Sequence, residues 1–355
     1  MKKANNTLKL VQNSLYSKIS AIIELARQRA ATAINLSMVY AYYEIGKHIV
    51  ENEQQGSRRA EYGKQVLMEL SEKLTEKFGQ GFSAVNLQNM RNFYLAYSQN
   101  SIYQTVSNKL PISQTVSVKF TLSWSHYLIL MKIENKDERS FYEIEAAKEN
   151  WSVRQLSKQY SSSLYERLAL SRNKKDLMKL ASKGQTMEKT TDILKNPFTL
   201  EFLGLEEKSI YTEPDLENKI INNMQKFLLE MGKGFLFEAR QRRFTFDEEH
   251  FFVDLVLYNR LLQCYVLIDL KVEKLTHKDL GQMQMYVNYY DRYMKQDFEK
   301  PTIGILLCKK ANQTLVKLTL PKDANIYSAQ YALYLPDKKL LQSKLKEWIK
   351  EFEGA

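Results

Sequence analysis

The chain has 355 residues, of which 44% are hydrophobic and 26% charged, and its formal net charge is +11. This length allows two domains with separate cores, and the composition is typical of a globular protein. Two cysteines without metal-binding spacing exclude a disulfide framework and a zinc site of Cys and His. No run approaches the roughly 18 consecutive apolar residues that a membrane helix needs. The lysine-containing start lacks an apolar signal core, so the sequence predicts a cytoplasmic protein without membrane contact.

The positive charge lies in the first part of the chain. Residues 1–200 contain 29 Lys and Arg and 18 Asp and Glu, whereas residues 201–355 contain 23 of each group. A basic module next to a neutral one suggests that one half holds a polyanion and the other acts on it. A basic surface that binds no ligand explains the charge equally well.

Apolar residues in the N-terminal half recur at helical spacing. Residues 8–53 predict two long helices or one broken helix, and the next helical run stops at Gly79. Ser83 then reads as the N-cap of a further helix. A helix, a glycine-containing turn and a capped helix resemble a helix-turn-helix unit, although a plain helical hairpin is the commoner structure.

Three polar side chains on that last helix are candidates for contact with nucleic acid, because residues of these types reach phosphates or base edges. They are Asn86, Asn89 and Arg91. The polar segment that follows, residues 98–120, repeats QTVS and is predicted to be an exposed insertion.

A domain boundary is expected near residue 200, where a lysine-rich segment ends in Asn196-Pro197. We predict an all-α, basic domain over residues 1–185 that binds DNA or a partner. A linker over residues 186–205 and an α/β domain over residues 206–355 follow it.

The segments of residues 206–355 have the order α-β-β-β-α-β-β-α. One helix is predicted from Pro214 to Gly232, and a later helix starts at Thr276, which has Asp279 at capping-box spacing. Between them lie three strand-like runs, near residues 235–246, 250–259 and 264–272. This order predicts a mixed sheet with helices packed on it.

The strand VLIDLKVEK carries two charges in an apolar run. Asp269 and Lys271 share one face of this strand, whereas its apolar residues share the other. Charges on a half-buried face are either paired, at the surface, or used in chemistry.

A second acid, Asp254, breaks the preceding apolar strand. A loop over residues 260–263 would place it opposite Asp269, whereas a tight turn at residues 259–260 would place it opposite Tyr265. We prefer the longer loop as a hypothesis, because directly opposed carboxylates are costly unless a cation lies between them. Such a pair of hard oxygen ligands suits Mg²⁺, with Mn²⁺ able to substitute.

In that arrangement Asp254, Asp269 and the peptide carbonyl of Leu270 would bind the metal ion. The ion would polarise a scissile phosphate and activate water. Lys271 would hold the attacking water or offset charge that develops in the transition state. The residues therefore indicate hydrolysis of a phosphodiester.

Asp254, a hairpin and then Asp269-Leu270-Lys271 resemble the PD-(D/E)XK nuclease motif. The segment order is similar to the αβββαβ core of that superfamily, which implies a restriction-endonuclease-like α/β domain. FLLEMGKGFLFEARQRRF and VDLVLYNRLLQCYVLIDLK resemble YhcG-type bacterial nucleases, and GFSAVNLQNMRNFY resembles their helical N-terminal domain. The resemblance implies a Mg²⁺-dependent deoxyribonuclease that acts on DNA and uses no nucleotide or organic cofactor.

The resemblance implies further site residues. Gln282 and Tyr286, four apart in GQMQMYVNYYD, are similar to the QxxxY element of RecB-type exonucleases. Glu217 stands where many members carry an additional acid that orients the metal or its water, although the helix dipole also explains an acid there. Independently of the resemblance, the strand before Asp254 is expected to line a phosphate track with Arg240, Arg242 and Arg243, although ordinary strand-edge charge also explains these residues.

One residue departs from the usual pattern of the family. Most members carry Glu where this chain has Asp269, although the motif admits either acid. Two functions are therefore weighed: a metal-dependent DNA nuclease, and a DNA-binding or assembly protein on a nuclease fold that has lost cleavage. Many duplex cutters address both strands as dimers, so a homodimer is expected.

Overall fold

The computed structural model describes residues 2–55, 60–98, 120–172, 174–206, 210–246, 248–321 and 323–353. The chain divides into two compact units, one of residues 1–139 and 146–153, the other of residues 140–145 and 154–355. None of the described helices is long and apolar enough to cross a membrane. Most of the predicted polar insertion, residues 99–119, lies outside the described residues.

Helices build the first unit. They are α1 (Lys2–Gln55), α2 (Ala60–Phe78), α3 (Ala84–Ser98) and α4 (Trp124–Leu130). α1 is continuous over 54 residues, whereas the sequence predicted two helices or a broken one. Its one glycine, Gly46, serves close packing and not a break: a Cβ there would come within 2.0 Å of the Met90 carbonyl oxygen of α3.

The core of this unit is largely aromatic. The ring of Phe93 on α3 has its centroid 5.0 to 5.3 Å from the rings of Tyr97, Phe120, Trp124 and Tyr127. Such pairs contribute about 0.5–1.5 kcal/mol each beyond the burial of their surface. Phe93 therefore joins α3 to α4 and to the segment that precedes α4.

The helices between residues 136 and 183 are α5 (Lys136–Lys148), α6 (Val153–Ser161), α7 (Leu164–Ala169) and α8 (Lys174–Lys183). The division between the compact units falls near α5, and the linker predicted over residues 186–205 stays a prediction. That segment forms the short strand β1 (Phe198–Thr199), and Phe198 and Leu200 are fully buried in the core of the second unit. Burial of its apolar residues makes it part of the fold.

The described residues of the second unit form a six-stranded sheet in the order β1-β6-β5-β4-β3-β2. The remaining strands are β2 (Phe235–Phe246), β3 (Glu249–Asn259), β4 (Cys264–Lys271), β5 (Ile303–Cys308) and β6 (Ile326–Ala332). The helices are α9 (Glu213–Asn222), α10 (Met224–Met231), α11 (His277–Tyr289), α12 (Gln313–Thr319) and α13 (Lys338–Glu353). β2, β3 and β4 pair antiparallel, and the other pairs are parallel. The predicted mixed sheet is confirmed.

The helix predicted from Pro214 to Gly232 is in fact two helices, α9 and α10. Asn223 separates them: its ψ of 29° leaves the helical range, and its side-chain amide donates to the Lys219 carbonyl oxygen over 3.1 Å. β1 and α12 were not predicted, because two and seven residues are too few to show a clear periodic pattern.

Both faces of the sheet are covered. Ile268 and Leu270 of β4 lie in a core cluster with residues of α9 and α10, whereas Leu267 lies in a cluster with residues of α11. The alternation in β4 predicts this two-sided burial. Asp269 and Lys271, at the carboxyl end of β4, therefore share the face that α11 covers.

A buried ion pair holds α10 in the second unit. The fully buried Arg167 guanidinium lies 2.5 Å from Glu230 Oε1, and the same oxygen accepts the Thr199 N–H over 2.9 Å. The Lys195 ammonium lies 3.9 Å from it. Removing one member of such a cluster leaves an uncompensated charge in the interior.

Glu230→Ala should lower the free energy of unfolding by about 3–5 kcal/mol, because Arg167 and Lys195 would lose their carboxylate. Lys158→Ala is the matched control: its ion pair with Glu201, at 3.4 Å, has a half-exposed lysine, and its loss should cost less than about 1 kcal/mol. Urea unfolding of the full chain, followed by circular dichroism, measures both values. Equal effects of the two substitutions would contradict the role assigned to the buried pair.

Candidate active site

The register of β3 and β4 decides whether the two predicted acids meet. Leu255 pairs with Ile268, and residues 260–263 form the connecting loop. The longer of the two predicted loops is therefore the one that forms. Asp254 and Asp269 directly follow this last pair of the ladder, each on its own strand, and the charge of Asp254 acts on Asp269.

The Asp254 carboxylate is fixed from both neighbouring strands. Its Oδ2 atom accepts the backbone N–H of Leu270 over 2.8 Å, and its Oδ1 atom accepts a side-chain N–H of Gln241 over 3.0 Å. Gln241 has a φ of 45° and lies between Arg240 and Arg242, both of which are paired with β3. A left-handed residue inside a strand disturbs the ladder and re-aims side chains. The side chains of Gln241 and Asp254 are thereby brought into direct hydrogen-bonding contact.

Glu217 reaches the same place from α9. This helix starts with a capping box, and Glu217 lies in its second turn with a buried carboxylate. Gln241 Nε2 donates to Glu217 Oε2 over 2.6 Å, and Arg240 Nε lies 3.1 Å from Glu217 Oε1. One amide nitrogen thus joins Glu217 to Asp254. Sequence reasoning missed Gln241, since one glutamine in a basic strand gives no signal.

The Lys271 ammonium lies among three carboxylates. Its Nζ atom is 2.8 Å from Asp269 Oδ2, 3.5 Å from Glu213 Oε2 and 3.9 Å from Asp279 Oδ1. Burial lowers the pKa of Lys271, but the carboxylates, Asp269 first, outweigh burial and the net pKa is raised. Lys271 is therefore charged at neutral pH. Glu213 was not predicted here, and Asp279 had been assigned only to helix capping.

Asp269 lies in an unfavourable environment for a carboxylate. Burial, followed by the charge of Asp254, raises the pKa of Asp269 to about 7, although Lys271 acts in the opposite direction. Only 3% of the residue is exposed. A second positive charge near this pair would favour the ionised form.

The site supplies the hard oxygen atoms that Mg²⁺ and Mn²⁺ prefer. Within the described residues, no three His, Cys, Asp or Glu side chains are already grouped as a metal cluster. Mg²⁺ commonly takes one or two carboxylates and completes its shell with water and substrate phosphate, so Asp254 with Asp269 meets this requirement. Glu217 and Asp254 also converge on a single atom of Gln241. The donor set therefore fits a divalent cation.

The predicted Gln282 and Tyr286 form one hydrogen-bonded unit on α11. The fully buried Tyr286 donates its hydroxyl to the Phe252 carbonyl oxygen of β3 over 2.8 Å, and Gln282 donates its side-chain amide to that hydroxyl. Burial raises the pKa of Tyr286, so the hydroxyl stays protonated. The unit holds β3 two residues from Asp254.

The three predicted arginines of β2 differ in their surroundings. Arg240 pairs with Glu217. Arg242 lies close enough to Glu238 and to Tyr290, which follows α11, to influence the pKa of both. Arg243 is exposed. All three residues are exposed, and the phosphate track stays a prediction.

The polar candidates of α3 are largely engaged within the first unit. The Asn86 side chain accepts the Trp124 indole N–H over 3.1 Å, and Arg91 forms hydrogen bonds of 2.7 and 2.9 Å with Glu53 of α1. Asn89 is half-buried. Contact of these three residues with nucleic acid stays a prediction.

The environment of Asp269 predicts how the metal-free protein responds to pH. Because its folded-state pKa is raised from 3.8 to about 7, the folded protein binds this proton more tightly than the unfolded chain. Stability should therefore fall as the pH rises through that interval. Asp269→Asn should remove this contribution to the slope of stability against pH. Above that pH interval, the substitution should add on the order of 2–4 kcal/mol to the free energy of unfolding.

Chemical unfolding in EDTA, at a pH below and a pH above that interval, measures the slope for both proteins. Since all other groups titrate in both, the difference between the two slopes isolates this carboxylate. Identical slopes would show that Asp269 has an ordinary pKa.

Known proteins are similar in sequence to this chain along most of its length. Residues 191–346 match the model of the YhcG PDDEXK nuclease domain, and residues 18–167 match the DUF1016 N-terminal domain. The chain is 37% identical over 349 residues to "Putative nuclease YhcG" of Escherichia coli strain K12, which covers 93% of this chain and 92% of that protein. A crystal structure of a repair endonuclease from Pyrococcus abyssi matches 37% of this chain and 50% of that chain, with 20% identity and a TM-score of 0.26. On the strength of the full-length relative, the chain belongs to the YhcG family and carries a PDDEXK nuclease domain.

Proposed function

We propose that the protein is a divalent-metal-dependent DNA nuclease that hydrolyses phosphodiester bonds. The observation that carries the proposal is that Asp254 and Asp269 lie next to the last pair of two adjacent strands and interact electrostatically, with the charged Lys271 2.8 Å from the second acid. Membership of a family with a PDDEXK nuclease domain supports a nucleic acid as substrate. Paired hard oxygen donors next to a fixed positive charge are suited to phosphate chemistry.

Asp254, Asp269 and the peptide carbonyl of Leu270 would hold Mg²⁺, or Mn²⁺ in its place, with Glu217 at the edge of the site. When bound, the ion supplies a Lewis acid that polarises the scissile phosphate. The Leu270 N–H keeps Asp254 in place with its 2.8 Å hydrogen bond. β4 thus positions Asp254 through its backbone and supplies Asp269 as the second acid.

Lys271 would orient the attacking water or offset the charge that develops on the phosphate. Its raised pKa keeps it protonated, so it cannot act as a general base at neutral pH. Gln282 and Tyr286 would act indirectly, since their hydrogen bonds hold the β3 backbone beside Asp254.

The basic N-terminal domain is proposed to hold DNA or a partner protein while the second domain cuts. Its net positive charge favours a polyanion. A homodimer that works in the cytoplasm is part of this proposal, because cleavage of both strands of a duplex needs two sites.

Lys271→Ala should lower the cleavage rate at least about 100-fold and leave DNA affinity nearly unchanged, because the ammonium acts on the reacting phosphate or water. Lys274→Ala, at an exposed lysine three residues further on, is the control and should cleave like the wild type. Linear, nicked, branched and single-stranded DNA, each with Mg²⁺ or Mn²⁺, form the substrate panel. Fluorescence anisotropy measures binding separately.

One result would favour the second function. If the wild type binds DNA but cuts no form with either metal, the protein is a DNA-binding or assembly protein on a nuclease fold. Asp269 in place of the usual glutamate is the observation that supports this alternative.

Arg243→Ala should weaken binding about equally for all DNA sequences and reduce the slope of log affinity against log salt by about one, as expected for one lost phosphate contact. Arg242→Ala is the control, because this neighbour lies near Glu238 and Tyr290. Anisotropy titrations at several salt concentrations measure the slope. An equal reduction of the slope in both variants would contradict the prediction that DNA contacts Arg243 and not Arg242.

A further inference from the structure

We infer that Gln241 is a further ligand of the cation site. Its amide nitrogen donates to both Glu217 and Asp254, and rotation of the amide by half a turn would present its oxygen to a cation held by these carboxylates. The inference rests on the proposed function and adds to it an oxygen donor from β2.

The geometry around Gln241 is that of neighbouring ligands. Its Nε2 atom lies 2.6 Å from Glu217 Oε2 and 3.0 Å from Asp254 Oδ1. Oxygen atoms about 2.1 Å from an octahedral Mg²⁺ and next to each other in its shell are roughly 3.0 Å apart. The end of the Gln241 side chain is therefore already spaced from both carboxylates as a third ligand would be.

An amide is suited to both states of such a site. Its NH₂ group has two donors, which satisfy one carboxylate each when no cation is present. Its oxygen is a hard acceptor of the kind that Mg²⁺ and Mn²⁺ bind. Rotation about the last side-chain bond exchanges these groups without a change of charge or shape, which neither lysine nor arginine could achieve.

The backbone of Gln241 supports a specific role. Its φ of 45° lies in the left-handed region, which a residue other than glycine adopts in a strand only where its surroundings enforce it. The residue is exposed, so core packing does not explain the conformation. The conformation does place the side chain across the strand pair, against Asp254 and Glu217.

Binding of Mn²⁺ alone to the full-length protein, without DNA, tests the inference. The free ion is followed by electron paramagnetic resonance. Gln241→Gly removes the amide and suits the left-handed backbone, and it should weaken Mn²⁺ binding about tenfold or more. Gln241→Glu keeps an oxygen donor and adds a charge, so it should bind Mn²⁺ at least as tightly as the wild type.

Gln263→Gly is the matched control, because Gln263 is an exposed glutamine with a φ of 55° in the loop between β3 and β4. It should bind Mn²⁺ like the wild type. Wild-type affinity or tighter binding in Gln241→Gly would overturn the inference, since Gln241 would then only compete with the ion. Loss of Mn²⁺ binding in Gln241→Glu would overturn it as well. If Gln241→Gly does not fold, the result for Gln241→Glu decides.

Failure of the proposed function gives a different result. If the wild type itself binds neither Mn²⁺ nor Mg²⁺, the nuclease proposal loses its cation. If the wild type binds Mn²⁺ and both Gln241 variants bind it equally well, the nuclease proposal stands and the role of Gln241 is rejected.

Discussion

Electrostatic repulsion between Asp254 and Asp269 is the constraint on which the site depends. The two acids follow the last pair of the β3–β4 ladder, one on each strand, and each receives its own donors. Asp254 accepts from the Leu270 N–H and from Gln241, whereas Asp269 has the ammonium of Lys271. The antiparallel ladder, α9 and the left-handed backbone of Gln241 in β2 together bring these donors to the acids.

The helices on the two sides of the sheet also contribute to the balance of charges around Asp254, Asp269 and Lys271. α9 brings Glu217 to the amide that also serves Asp254. α11 fixes β3 through Tyr286 and brings Asp279 within 3.9 Å of Lys271. The carboxylates around Lys271 keep it charged, and the charge of Lys271 in turn makes the neighbouring Asp269 easier to ionise.

Much of the fold and part of the site were open to prediction from sequence. β2 begins and ends at the residues that its pattern predicted, and Thr276 caps α11 through its side chain as expected. Local periodicity and capping chemistry act within a few residues, so the sequence displays them directly. The proximity of Asp254 and Asp269 was predictable because only two loop lengths were plausible.

The remaining features depend on contacts between distant segments. Nothing in the neighbours of Gln241 predicts its left-handed φ, which arises where β2 meets Asp254 and Glu217. Arg91 pairs with Glu53, 38 residues away, so its engagement was invisible to a reading of α3 alone. The burial of Phe198, inside the predicted linker, was hidden for a similar reason, since its core is formed by residues elsewhere in the chain.

The donors that surround the acids make the site depend on the register of the strands. Gln241 lies on β2, whereas Leu270 and Lys271 lie on β4, so Asp254 receives hydrogen bonds from both of its neighbouring strands. Because successive side chains of a strand point to opposite faces, a slip of one residue between β3 and β4 would turn Asp254 away from Asp269. The backbone hydrogen bonds that build the sheet therefore also decide whether the two acids lie on the same face.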